Sequence, residues 1–293
     1  MSELNTRSRM LFFRAPVLAF VCAIASGPLV AQVDAGRAAS PAVAMARVPA
    51  GSYVPLYRQP VADVASKRAP AVADRSRRVA AFEMDIYPVT NAAYLAFVRD
   101  HPEWRRSQAK PLFVDASYLV HWAGDLELGA LAPPDAPVVN VSWFAARAYL
   151  RTQGKQLPTV DQWEYVAAAS ERDRDASREP LFLSRLRSWY GQSVPRPLPS
   201  VGTGFRTVYG PRDLHGLVWE WTLDFNSALV TGESRGDSAL ERTLFCGSGG
   251  VGAADFENYP AFMRYALRGS LEARYGVGSL GFRGVRATGE GGR

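Results

Sequence analysis

The chain has 293 residues, 47% of them hydrophobic and 21% charged, with a formal net charge of +6. That allows one large domain or two small ones, with a core that needs no staples. The basic residues are scattered. Their densest group, Arg172, Arg174, Arg178, Arg185 and Arg187, is interleaved with Asp173, Asp175 and Glu179, which reads as a solvated loop and argues against nucleic acid as a partner.

Arg7, Arg9 and Arg14 precede an apolar run over 15–24, Gly27-Pro28 breaks it, and Leu29-Val30-Ala31 offers small residues for cleavage. This is the pattern of a signal peptide over residues 1–31. The run is short for a membrane span of about 20 residues, so cleavage is expected in preference to retention as an anchor. The mature protein is expected in the periplasm or secreted, without stable membrane insertion. Cys22 falls in the leader, which leaves Cys246 as the one thiol of the mature chain and no internal disulfide.

Residues 32–45, rich in Ala and Val, suit a linker, and 46–290 a single domain. Apolar and small residues alternate over 48–57, predicting a strand or hairpin entry, and a second strand is expected over 79–87. Thr90-Asn91 caps a helix over 92–100 whose apolar face is Tyr94, Leu95, Phe97 and Val98, and His101-Pro102 closes it. Ser142 caps a second helix from 143 to about 153, ended by Gly154. Thr159 and Gln162 form a capping box for a third, with Trp163, Val166 and Ala167 at helical spacing. Residues 171–210, polar and rich in Arg, Pro and Gly, are expected to be irregular surface structure, and the chain beyond 214 short strands joined by glycine-rich loops. The fold class is α+β with much irregular backbone.

Several segments gain weight together: Val48-Pro49-Ala50-Gly51-Ser52-Tyr53, Met84-Asp85-Ile86-Tyr87-Pro88-Val89-Thr90-Asn91, Val139-Asn140-Val141-Ser142-Trp143, Leu157-Pro158-Thr159-Val160-Asp161-Gln162-Trp163-Glu164-Tyr165, Gly216-Leu217-Val218-Trp219-Glu220-Trp221 and Gly281-Phe282-Arg283. In this order and at this spacing the chain resembles the formylglycine-generating enzymes, or sulfatase-modifying factors, over roughly residues 46 to 286. The resemblance implies the sulfatase-modifying-factor fold, related to C-type lectins, and a polypeptide partner. It also implies oxidation of a client cysteine with molecular oxygen at a copper(I) ion held by two cysteines, soft ligands for a soft ion. The stretches Phe245-Cys246-Gly247 and Phe262-Met263-Arg264-Tyr265-Ala266 further resemble the exported NirV-like subgroup associated with copper nitrite reductase. That narrower likeness implies an accessory role in denitrification or copper-enzyme maturation.

The implied chemistry meets departures. Val251 and Pro260 stand at the two cysteine positions, and Cys246 replaces a glycine of the family's Gly-Gly-Ser segment. Copper(I) on Cys246 and Met263 is conceivable from ligand softness, though the spacing does not demand it. At the family's calcium position Leu217 offers no side-chain oxygen, with Glu220 and Asp224 nearby. The three histidines, His101, His121 and His215, lack ligand spacing. Metal and cofactor content is therefore left open. Cys246 is either an inert small core residue or a reactive thiolate. In the second case Ser248 and Gly247 would shape its pocket, and Arg264 or Arg268 would supply positive charge. The catalytic candidates are Cys246, Ser248 and Arg264. Two functions follow: an accessory factor that binds or oxidatively modifies a polypeptide, or an inactive peptide- or ligand-binding module on the same fold.

Overall fold

The first regular structure is an antiparallel ribbon. β1 (Met45–Val48) pairs with β4 (Phe82–Asp85), and β2 (Gly51–Tyr53) with β3 (Arg77–Val79). Val48 faces Phe82 and Gly51 faces Val79, so the two ladders share one register and are interrupted where Pro49-Ala50 opposes Ala80-Ala81. Pro49 has no N–H to give a ladder. The strand or hairpin entry expected over 48–57 and the strand expected over 79–87 are thus each divided at this point. β7 (Val285–Ala287) joins the far edge of β4, giving a sheet of order β1-β4-β7 that ties the end of the domain to its start. The computed structural model describes residues 44–55, 76–225 and 258–288; the leader and most of the linker lie outside them.

Three helices begin where their caps predict. Thr90 accepts from the Ala93 amide at the start of α1 (Asn91–Asp100), and Ser142 from Ala145 at the start of α2 (Trp143–Thr152). Thr159 and Gln162 complete the capping box of α3 (Val160–Ala167). Gly154 ends α2 at φ +65°, a conformation that side chains resist. Ala145 and Ala146 are fully buried in the same core as the aromatic face of α1. Tyr94 and Tyr149 meet at 5.6 Å, and both pack edge-on to Phe282. Rings of this kind each remove about 150–250 Å² from water, which makes this cluster the main core. A second cluster joins the ribbon to α3 through Phe82, Met84, Trp163, Val166 and Val285.

Two expectations fail. Within 171–210 the chain forms α4 (Pro180–Tyr190), with proline in its first turn and Phe182, Leu183 and Leu186 buried. Its apolar stripe is short and flanked by arginines, so composition hid the period. Beyond 214 there is a helix, α5 (Tyr259–Gly269), whose buried residues include Arg264 and Arg268. A helix with charges on its buried face escapes any apolar pattern. Between α4 and the end of the chain, β5 (Trp219–Glu220) pairs in parallel with β6 (Leu280–Gly281), setting the Trp-Glu-Trp segment beside Gly-Phe-Arg. Glycine is required at 281, where a Cβ would stand 2.8 Å from the Val138 carbonyl oxygen. Among the described residues no helix is long and apolar enough to cross a membrane.

Candidate functional site

Of the three catalytic candidates, Arg264 alone lies among the described residues, and it is at the centre of a buried cluster. Arg264 and Arg268 are four apart on α5 and so share a face. Opposite them α3 presents Glu164. Arg264 donates from Nε to Glu164 Oε1 (3.0 Å) and from Nη2 to Oε2 (2.7 Å), and Arg268 Nη1 donates to Oε1 (2.6 Å). The third nitrogen of Arg264, Nη1, donates to the Tyr190 hydroxyl at 3.3 Å. Both guanidiniums also lie over the Trp163 ring, at 5.3 and 5.1 Å. Burial pushes the Glu164 carboxyl up, but the two guanidiniums outweigh it and hold the group at about 2. Burial likewise works against the Arg264 cation, and Glu164 more than restores it.

Trp163 joins this cluster to a second one. Its indole N–H donates to Glu220 Oε2 at 2.8 Å, and the same carboxylate is forked by Arg283 through Nε (2.8 Å to Oε2) and Nη2 (2.7 Å to Oε1). The remaining Arg283 bonds run to the carbonyls of Asp85, Ile86 and Arg212. Glu220 is therefore engaged by Arg283 and Trp163. Asp224 accepts from the Val160 amide at the start of α3, a helix N-terminus that favours a carboxylate. With Leu217 offering no oxygen, these residues do not fit the calcium site implied by the resemblance.

Copper and iron fare no better. Pro260, where the resemblance places the second cysteine, is buried in the first turn of α5, where Asn258 Oδ1 caps the Ala261 amide at 3.2 Å. It brings no thiolate, so the family's soft-ligand pair does not fit. The histidines serve separate places. His101 packs on Phe97 at the end of α1, while His121 meets Asn91 at its start, about 15 Å away along ten helical residues. His215 is buried; its Nε2 bonds the Ala167 carbonyl at 2.9 Å, and Phe205 stacks on its ring. Burial first, and then the positive charge of Arg264, lower His215 to about 3, so it is neutral; with its Nε2–H donated to the Ala167 carbonyl, Nδ1 accepts a hydrogen bond from the Tyr190 hydroxyl at 3.4 Å. Among the described residues no three His, Cys, Asp or Glu side chains are grouped to hold a metal.

Two cavities flank the Glu164 cluster. One, of about 90 Å³, is lined by Trp189, Tyr190, Trp219, Arg264, Arg268 and Leu271 among others. The other, of about 120 Å³, includes Tyr53, Glu164, Asp175, Arg178, Arg264 and Tyr265. Arg264 lines both, so the ion pair is the partition between them. Cys246, Gly247, Ser248 and Val251 lie outside the described residues. What the structure adds to the sequence is Glu164 as the anchor of both arginines. Its signal was a glutamate beside Trp163 on an otherwise apolar helix face.

The comparisons with known proteins agree with this architecture. An inactive Cα-formylglycine-generating enzyme 2 from Mus musculus is 28% identical over 226 residues, covering 65% of this chain and 71% of its own. A formylglycine-generating enzyme from Streptomyces coelicolor is 30% identical over 258 residues, 70% of this chain and 78% of that one. Hercynine oxygenase from Mycolicibacterium thermoresistibile is 30% identical over 168 residues, and the chain spans just 36% of its length. The sulfatase-modifying factor enzyme 1-like domain matches residues 31–288, and on that extent, with the α+β fold and the paired Trp-Glu-Trp and Gly-Phe-Arg segments, the chain belongs to this family.

Proposed function

We propose that this protein is an exported accessory or maturation factor that binds a polypeptide partner without the copper chemistry of the family's enzymes. The observation that carries the reading is Pro260. The position where the resemblance places the second cysteine is a buried proline in the first turn of α5, and the helix it opens commits its next turns to Glu164. The inactive relative and the active enzyme named above support a fold that persists with and without catalysis. Export rests on the leader over 1–31, and the NirV-like resemblance makes copper nitrite reductase the first partner to try.

The alternative is oxidative modification through Cys246, with Ser248 beside it. Arg264 would then act through its charge alone, because its three nitrogens are bonded to Glu164 and Tyr190. One experiment separates the two readings. Copper nitrite reductase is titrated with the full chain and with Cys246→Ser, following binding by calorimetry and the partner's intact mass. The binding reading expects affinities within about twofold, under 0.5 kcal/mol, and no change of mass. A change in the partner's mass that Cys246→Ser abolishes overturns it in favour of modification.

A further inference from the structure

Among the described residues, the smaller cavity faces more positive charge than its surroundings neutralise. Among the described residues, the ionised side chains lining it are Arg264, Arg268 and Glu220, and their ion-pair partners are Glu164 and Arg283. Three guanidiniums therefore meet two carboxylates. His215, close behind Tyr190, is neutral and adds nothing to either side. The surplus falls on Arg268. Arg264 is held by two bonds to Glu164 and one to Tyr190, and Arg283 is committed to Glu220 and three carbonyls. Arg268 gives Glu164 a single bond, to an oxygen that Arg264 already uses. Its side chain is 5% exposed. A desolvated cation with half a counter-ion is unfavourable, and an anion brought beside it interacts far more strongly than it would in water.

Apart from Gln192 and Ser279, the rest of the lining is aromatic or apolar. Trp189 and Leu271 contribute, and Tyr190 and Trp219 lie 5.0 Å apart with their planes tilted by 31°. About 90 Å³ holds several waters or one small ring, and it is too small for a folded peptide segment. We propose that this cavity binds a carboxylate carried on a flat apolar body, with the carboxylate at Arg268 and the ring against Trp189 and Trp219. The proposal does not rest on a polypeptide partner. A free aromatic acid and the terminal carboxylate of a chain ending in an aromatic residue share this chemistry.

The test titrates the full chain with phenylacetate, phenethylammonium and benzyl alcohol, following the fluorescence of the lining tryptophans and the heat of binding. Phenylacetate is expected to saturate, with the cation and the neutral alcohol at least tenfold weaker. Arg268→Gln should lose at least tenfold in phenylacetate affinity, and Arg268→Lys should recover part of it. The ligand panel needs no variant, so the proposal stays exposed to failure even where Arg268→Gln does not fold. Equal binding of the three probes, no binding of phenylacetate, or an unchanged affinity in a folded Arg268→Gln would overturn it. A short peptide ending in phenylalanine, as free acid and as amide, identifies the source. Tighter binding of the peptide acid than of phenylacetate, lost in the amide, assigns the site to a chain terminus. The reverse order assigns it to a free aromatic acid.

Discussion

Two buried arginine–glutamate clusters stand on either side of Trp163, and they are built differently. At Glu220, one carboxylate meets one guanidinium, and the bonds left over on Arg283 are absorbed by three backbone carbonyls. Arg283 is fully buried and ties β4, β5 and the strand-end loops together. At Glu164, one carboxylate meets two guanidiniums, and both arginines line open space. Charge balance with saturated hydrogen bonding marks a structural tie. A charge surplus beside a cavity marks a place where a ligand can complete the set. The family resemblance covers both clusters and does not separate them; counting bonds does.

The comparison predicts unequal consequences. Arg283→Ala should be the most damaging, because it leaves Glu220 as an uncompensated buried charge and orphans three carbonyls. A loss of at least about 3–5 kcal/mol, or roughly 10 °C in melting temperature, is expected. Thermal melts followed by near-ultraviolet circular dichroism measure it. A fall of a degree or two would mean that Arg283 is replaceable and that the distinction drawn from its bonds is false.

Glu164 tests the other side through pH. Its carboxyl is lowered from 4.5 to about 2 in the fold. A group lowered in the folded state contributes stability that is complete above its unfolded value, so the contribution is full above about pH 5 and disappears as pH falls toward 2. The shift corresponds to on the order of 3 kcal/mol. Glu164→Gln should cost a similar amount at neutral pH, where it strands two guanidiniums. Its stability should then change less than the parent's between pH 5 and pH 2.5. Parallel acid curves for the two proteins would show that Glu164 is not the titrating group.

Much of this was legible locally. Thr90, Ser142 and the Thr159–Gln162 box announced their helices because a cap is written within four residues. The glycine at 154 and the apolar face of α1 were readable for the same reason. The two clusters were not, since Glu164 and Arg264 are 100 residues apart and no local pattern pairs them. α5 shows the difficulty at its sharpest: its buried face carries arginines, so the usual sign of a helix against a core was missing. Arg264 was singled out as a source of charge, and it is one, but its partner came from α3. Cys246 and Ser248, the other two candidates, lie outside the described residues, and their role rests on the sequence and on the Cys246→Ser experiment.

The smallest effect should come from the helix that joins the clusters. α3 carries Trp163, bonded to Glu220, and Glu164, bonded to both α5 arginines, and its first turn is held by Thr159. Thr159→Ala removes one cap bond and breaks the reciprocal box, a loss of about 1 kcal/mol, or 2–4 °C in a domain of this size. Because Trp163 closes the first turn, Glu164 follows it, and both are pinned from outside the helix, losing the cap should loosen the start of α3 without moving them. Phenylacetate affinity in Thr159→Ala is therefore expected to stay at the parent value while the melting temperature falls. A parallel loss of affinity would show that the cavity depends on the stability of α3 as a whole, and that the surplus charge on Arg268 is not what distinguishes the two clusters.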